Sequence, residues 1–133
     1  MGAAENKQLI QHMFAELTKG NMEAFFGSMA EDIRWTIIGT TKYSGTFQGK
    51  QEVLDKLSTP IAAQLEGPFI ATVERLIAED DYVVMEERGQ ATTKMGKPYN
   101  NTYCVVFRIA KGKVQEIMEY LDTELVTAAF GKA

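Results

Sequence analysis

From Phe69 to Leu121 the chain reads as four strand-like segments separated by three short turns, and this run constrains the fold more than any other feature. The segments Phe69–Ala78, Tyr82–Thr92, Asn100–Ile109 and Val114–Leu121 are rich in Val, Ile, Thr, Tyr and Phe. Those residue types fit a pleated, half-buried surface. Between them stand Glu79-Asp80-Asp81, then Thr93 to Pro98, then Ala110-Lys111-Gly112-Lys113, each with turn-forming chemistry. Consecutive strands joined by so few residues pair as antiparallel neighbours, because a parallel pair needs a long crossover. The segment is therefore a meander, and one of its faces needs a cover.

The residues ahead of the meander supply that cover. Glu5 to Lys19 places Leu9, Ile10, Met13, Phe14 and Leu17 at helical spacing, with Gly20 where a helix stops. Asn21 opens a second short helix with Met22, Phe25, Phe26 and Met29 on one side. Asp32 to Ile38 alternates as a strand, and Gly39 to Gly49 is a loop or an edge hairpin. Lys50 to Leu65 returns to helical spacing, with Pro60 expected to kink or interrupt it. Asp122 or Thr123 caps a last helical turn through Phe130. Helices collected ahead of a meander give an α+β fold: a curved antiparallel sheet wrapped around helices to form a cone with an internal cavity. At 133 residues the chain reads as one domain, 1–133. A concave, mostly apolar hollow of this kind suits a small ligand.

Composition narrows the partners. Fourteen Lys and Arg against eighteen Asp and Glu leave a net charge of −4, which argues against a nucleic-acid partner. A single cysteine, Cys104, and a single histidine, His12, leave no basis for a disulfide or a metal centre, and nothing points to a cofactor. Cys104 reads as a small packed side chain and His12 as a surface residue. No apolar run approaches the ~20 residues that span a bilayer. The opening Met1-Gly2-Ala3-Ala4-Glu5 lacks the basic and apolar regions of a secretory leader, so the expectation is a cytoplasmic protein without a membrane partner.

Four stretches carry a family resemblance: Gly20-Asn21-Met22-Glu23; Met29-Ala30-Glu31-Asp32-Ile33-Arg34-Trp35; Tyr43-Ser44-Gly45-Thr46-Phe47-Gln48-Gly49-Lys50-Gln51-Glu52-Val53; and Gly112 to Asp122. Together they resemble the SnoaL-like branch of the nuclear-transport-factor-2-like superfamily, which includes ketosteroid isomerases, polyketide cyclases and limonene-epoxide hydrolases. The resemblance covers nearly the whole chain and implies the cone, its cavity, and a homodimer formed through the outer sheet face. It specifies the fold better than the reaction, since one fold hosts several chemistries. Against the isomerase pattern, Met13 stands where the helical tyrosine would be, Thr36 near the base, and Tyr103 or Cys104 near the second acid. Against the epoxide-hydrolase pattern, Arg88 falls at the arginine, Glu119 at the water-activating carboxylate, Trp35 near a water-positioning tyrosine, Ile37 near its amide, and Gln90 at the proton donor. An amide donates a hydrogen bond but does not hand over a proton.

Strand parity adds to this. Glu86, Arg88 and Gln90 share one face, as do Ile117, Glu119 and Leu121. The resulting expectation places Glu119 and Arg88 at the cavity floor as acid and partner, with Tyr103 as a further catalytic group. Trp35, Gln90, Asn101, Glu86, Phe26 and Met13 are then expected to contact the ligand, a small apolar or carbonyl-containing molecule. The competing readings stay open: Arg88 as part of a structural ion pair, Trp35 and Tyr103 as core, Asp122 as a helix cap. Three functions follow: a cofactor-free isomerase, cyclase or epoxide-hydrolase-like enzyme; a binding module without chemistry; or an interaction protein using an outer sheet face of Arg34, Thr36, Met118 and Tyr120.

Overall fold

A computed structural model describes residues 2–133. Helix α1 (Ala3–Lys19) buries Ile10, Met13 and Phe14 and stops at Gly20, whose φ of 82° closes the helix with backbone bonds to Glu16 and Leu17. That left-handed position costs a glycine little. Helix α2 (Met22–Gly27) is capped by the Asn21 side chain, which accepts from the Ala24 N–H at 3.2 Å. Strand β1 (Met29–Ile37) and the short edge strand β2 (Gly45–Gln48) follow. Next comes one helical stretch in three parts: α3 (Lys50–Val53), a π-helical turn (Leu54–Ser58) and α4 (Thr59–Gln64). The regular α-helix is interrupted just ahead of Pro60, as expected, by the π turn rather than by a break in the helical path. The wider π turn, closed by the Thr59 N–H on the Leu54 carbonyl, brings the proline in at the second position of α4, where a missing N–H matters least.

Strands β3 (Leu65–Glu79), β4 (Tyr82–Thr93), β5 (Pro98–Ala110) and β6 (Lys113–Leu121) form the expected meander, and α5 (Thr123–Phe130) ends the chain. Asp122 caps α5, accepting from the N–H groups of Glu124 at 3.0 Å and Leu125 at 3.3 Å. The sheet order is β2-β1-β6-β5-β4-β3. All neighbours are antiparallel except β1 and β6, which run parallel, so the sheet is mixed at one seam. The parallel register pairs Thr36 with Met118 and Ile37 with Glu119, placing the last acid of β6 beside the inward row of β1.

Two faces result. Inward-pointing Val83, Met85, Val105, Phe107 and Ile117 join Ile10, Met13, Phe14 and Phe25 in one core. Phe14 meets both Phe25 and Phe107 edge-on, with ring centroids 5.5 and 5.8 Å apart. Strand β3 alternates loosely because it carries a bulge: Val73 opposes Glu87 and Arg75 opposes Glu86, leaving Glu74 as the extra residue. The outward face exposes Met118 and Tyr120, as well as Cys104, which is solvent-accessible rather than packed. His12 is exposed. No helix among the described residues is long and apolar enough to cross a membrane.

Candidate functional site

Between the inner sheet face and helices α2, α4 and α5 lies a cavity of about 300 Å³. Its walls are predominantly hydrocarbon: Phe14 and Leu17 from α1, Phe25 and Phe26 from α2, Leu57 and Ile61 from the π turn and α4, and Phe130 from α5. That volume falls at the lower end of small-molecule sites, about 300–1,000 Å³. It is roughly twice the size of an engineered cavity that holds one benzene. Across the floor run Trp35 and Ile37 of β1, Glu87 of β4, Tyr99, Tyr103 and Val105 of β5, and Glu119 and Leu121 of β6.

Two carboxyls face this hollow, and among the described residues no Lys, Arg or His lines it. Glu119 is half-buried by surface area because its side chain looks into the cavity rather than into packed neighbours. The Trp35 indole N–H donates to its Oε1 at 3.2 Å. Burial pushes its pKa from 4.5 up to about 7, against the smaller pull of the indole bond toward the ionised form. Glu87 is 4% exposed, and its Oε2 has no hydrogen-bond partner. Burial, and then the nearby Glu119 charge, push its pKa up to about 8. A carboxyl without a compensating cation resolves the cost of burial by holding its proton. The indole bond to Glu119, which the unpartnered Glu87 oxygen lacks, favours ionisation of Glu119 over Glu87.

A hydroxyl chain lies beside the acids. Tyr103 donates to the Tyr99 hydroxyl at 2.9 Å, and the Asn101 amide donates to the same oxygen at 3.1 Å. With its oxygen accepting twice, Tyr99 keeps its own proton for another acceptor. Burial raises the pKa of both tyrosines, so both stay neutral donors. Deeper in the wall, Tyr43 takes a hydrogen bond from Gln64, and its ring meets Phe130 edge-on at 5.6 Å.

The structure brings Glu119, Tyr103, Trp35 and Phe26 to the cavity and places the other sequence-predicted residues elsewhere. Arg88 lies on the outer face, largely exposed, with its Nε 2.8 Å from Glu74 Oε1; it does not meet Glu119. Glu86 is also outside and pairs with Arg75 at 3.2 Å. Gln90 is exposed on the same face, opposite Ile70. The physical reason is common to all three: Val83 and Met85 occupy the buried face of β4, so Glu87 points inward and its neighbours outward. Asn101 is fully buried, but its side chain is committed. Its amide donates to Tyr99 and to the Asp122 carbonyl at 3.0 Å, and its Oδ1 accepts from the N–H groups of Thr102 at 2.8 Å and Asp122 at 3.1 Å. It clamps β5 to the end of β6 and has nothing left for a ligand. Met13 is fully buried in the core and does not reach the cavity. Among the described residues no group of three or more His, Cys, Asp or Glu gathers to hold a metal.

Glu87 and Tyr99 are the two polar floor residues that sequence reasoning missed. A signal for Glu87 was present: it pairs with Tyr103 across β4 and β5, and directly opposed residues share a face. Placing Tyr103 inward thus requires Glu87 inward and Arg88 outward.

Comparison with known proteins agrees with this architecture. An uncharacterized protein of Mycobacterium tuberculosis is 21% identical over 122 residues, covering 92% of each chain. The crystal structure of an NTF2-like protein of unknown function from Burkholderia pseudomallei superposes with a TM-score of 0.84 at 17% identity, covering 97% of this chain and 98% of the other. An LEH-like epoxide hydrolase of M. tuberculosis superposes with a TM-score of 0.77 at 13% identity, covering 96% and 90%. At these identities the structures share the fold. The sequence itself matches the SnoaL-like domain over residues 10–117, from the middle of α1 into β6, and the chain belongs to that family.

Proposed function

We propose that the cavity binds a small, mostly apolar molecule and that Glu119, with Glu87, performs cofactor-free acid–base chemistry on it. The observation that carries this reading is a pair of carboxyls lining one apolar hollow in different surroundings, Glu119 taking a hydrogen bond from the Trp35 indole and Glu87 with an unpartnered oxygen. Such a difference in surroundings assigns an acid and a base within one pair. Near neutral pH Glu119 is the group that ionises, steadied by Trp35, and it serves as the base. Glu87 retains its proton and serves as the acid. Tyr99, with its hydroxyl already accepting two hydrogen bonds, offers its proton to an oxygen on the ligand. Proton abstraction beside a carbonyl, followed by return of the proton elsewhere, uses all three groups. Isomerisation and cyclisation both belong to that class.

Solvent-deuterium exchange tests this directly. Small apolar ketones incubated with the protein in deuterium oxide are expected to gain carbon-bound deuterium, read by mass spectrometry. Glu119→Gln is expected to slow exchange by roughly 10²–10⁴, the usual size of general-base assistance. Ketones that bind without exchanging overturn the chemistry and leave a binding protein.

The outer face also fits a second copy of the chain. Met118 and Tyr120 are exposed there at 36% and 44%, next to Thr36 of β1. Light scattering at micromolar concentration is expected to give twice the chain mass, and a monomer overturns this.

A further inference from the structure

We infer that the ligand the cavity selects carries a positive charge: a compact apolar amine, bound as its ammonium ion between Glu87 and Glu119. The inference rests on the reading of the cavity as a ligand site, but not on any turnover.

Charge balance is the argument. The cavity is lined by two acids and no base, and Arg88, the cation nearest in sequence, is spent outside on Glu74. Glu87 Oε2 is buried without a partner. Native structures seldom leave such an atom orphaned unless something absent from the chain completes it. A neutral ligand would satisfy a hydrogen bond there but leave the carboxyls holding their protons against burial, and an anionic ligand would oppose their ionisation further. An ammonium ion provides donors and the missing charge together.

The walls suit the same guest. The rings of Trp35, Tyr99 and Tyr103 line the same hollow as the two carboxyls, and Phe69 meets Tyr103 edge-on at 6.3 Å. Ring faces attract cations, the more so where water is excluded. The remaining hydrocarbon wall accepts the apolar body of the molecule.

Binding a cation favours ionised carboxyls, so it is expected to expel protons from Glu87 and Glu119. Among the described residues, the other ionisable side chains lining the cavity are Tyr43, Tyr99 and Tyr103, all held neutral by burial. Proton release on binding is therefore assignable to the two acids.

The test uses matched amine, alcohol and carboxylate derivatives of two apolar frames, adamantane and cyclohexylethane. All are transparent where Trp35, the only tryptophan of the chain, fluoresces. Affinities are measured by Trp35 fluorescence and calorimetry near pH 8, where Glu87 is about half ionised. The amines are expected to bind about tenfold or more tightly than the alcohols, and the carboxylates weakest of all. Calorimetry in buffers of different ionisation heat is expected to show protons released with the amines only. In the double variant Glu87→Gln with Glu119→Gln, checked for folding by circular dichroism, the amine advantage is expected to vanish while alcohol affinity holds. Alcohols binding as tightly as amines, or an amine advantage that survives in the folded double variant, overturns the inference and leaves the cavity a ligand site. Failure of all six compounds to bind overturns the ligand-site reading as well.

Discussion

Replacing Glu87 by glutamine tests the electrostatics of the cavity without any ligand. A tenfold change in proton affinity is worth about 1.4 kcal/mol, so moving the Glu87 carboxyl from 4.5 to about 8 corresponds to roughly 4–5 kcal/mol. For Glu119, at about 7, the figure is roughly 3 kcal/mol. The sign follows from which state holds the proton. Below pH 4.5 both carboxyls are protonated whether the chain is folded or not, and burial exacts nothing for charge. As pH rises past that value the unfolded chain ionises while the folded chain keeps its protons, so the folded state binds more and stability falls with pH. The fall from Glu119 is complete above about 7 and that from Glu87 above about 8. Both groups together approach the total stability of an ordinary domain, ~5–15 kcal/mol.

The assay is urea unfolding followed by circular dichroism at closely spaced pH values between about 4.5 and 9, a window that spans both titrations. Glu16 and Glu52 do not confuse it. Hydrogen bonds from Asn21 and Lys56 respectively hold them below the ordinary glutamate value, so they titrate in more acid solution. The wild-type midpoint is expected to fall steadily through the window. Glu87→Gln, which keeps the shape and removes the charge, is expected to fall less and to level off near 7, where Glu119 finishes. Glutamine shifts the whole curve by whatever its amide gains or loses in that site, so the slope is the readout. A wild-type midpoint that stays flat or rises, or equal slopes in both proteins, refutes the argument that these carboxyls lack compensating charge.

Trp35→Phe removes the one hydrogen bond that favours ionised Glu119, and carbon-detected NMR is expected to show that carboxyl titrating above its wild-type position. Arg88→Ala and Glu86→Ala are expected to change stability by no more than about 0.5 kcal/mol in denaturant unfolding, because both ion pairs are exposed. Asn101→Ala is expected to cost about 2–4 kcal/mol by the same assay, since it strips hydrogen bonds from Tyr99, Thr102 and Asp122 at once. Gly89→Ala places a methyl 2.4 Å from the Phe69 ring and 3.0 Å from Tyr103, so about 1–3 kcal/mol of destabilisation is expected, together with weaker ligand binding as Phe69 is pushed aside.

The fold was legible from local chemistry. Helix α1, the Asn21 and Asp122 caps and the three meander turns each follow from a residue type acting within a few positions of itself. The parallel seam between β1 and β6 was not legible in that way, because the pairing joins segments some eighty residues apart and no local signal encodes it. The interruption ahead of Pro60 was legible, but its form was not. The cost of a proline in a regular α-helix is real, but a π turn ahead of it removes the conflict, and nothing in the spacing of Val53, Leu57 and Ile61 distinguishes the two.

The site turned on one binary choice. In β4 the run Val83-Val84-Met85 is apolar on both faces, so hydrophobic alternation alone does not say whether the odd or even residues point inward, and a slip of one exchanges Glu86, Arg88 and Gln90 for Glu87 and Gly89. The apparent appeal of Arg88 as a partner for Glu119 favoured the even set. That preference assumed a buried acid must be answered by a cation from the same chain, and the structure answers it with a second acid instead. Local chemistry pointed the other way. Gly89, set against the Phe69 ring and opposite the fully buried Asn101, is a strand glycine that leaves room for a neighbouring side chain, which belongs on a packed face and has little purpose in solvent. With Gly89 and the partner of Tyr103 both inward, the inward row of β4 runs Met85, Glu87, Gly89, and two acids without a cation lie at the cavity floor.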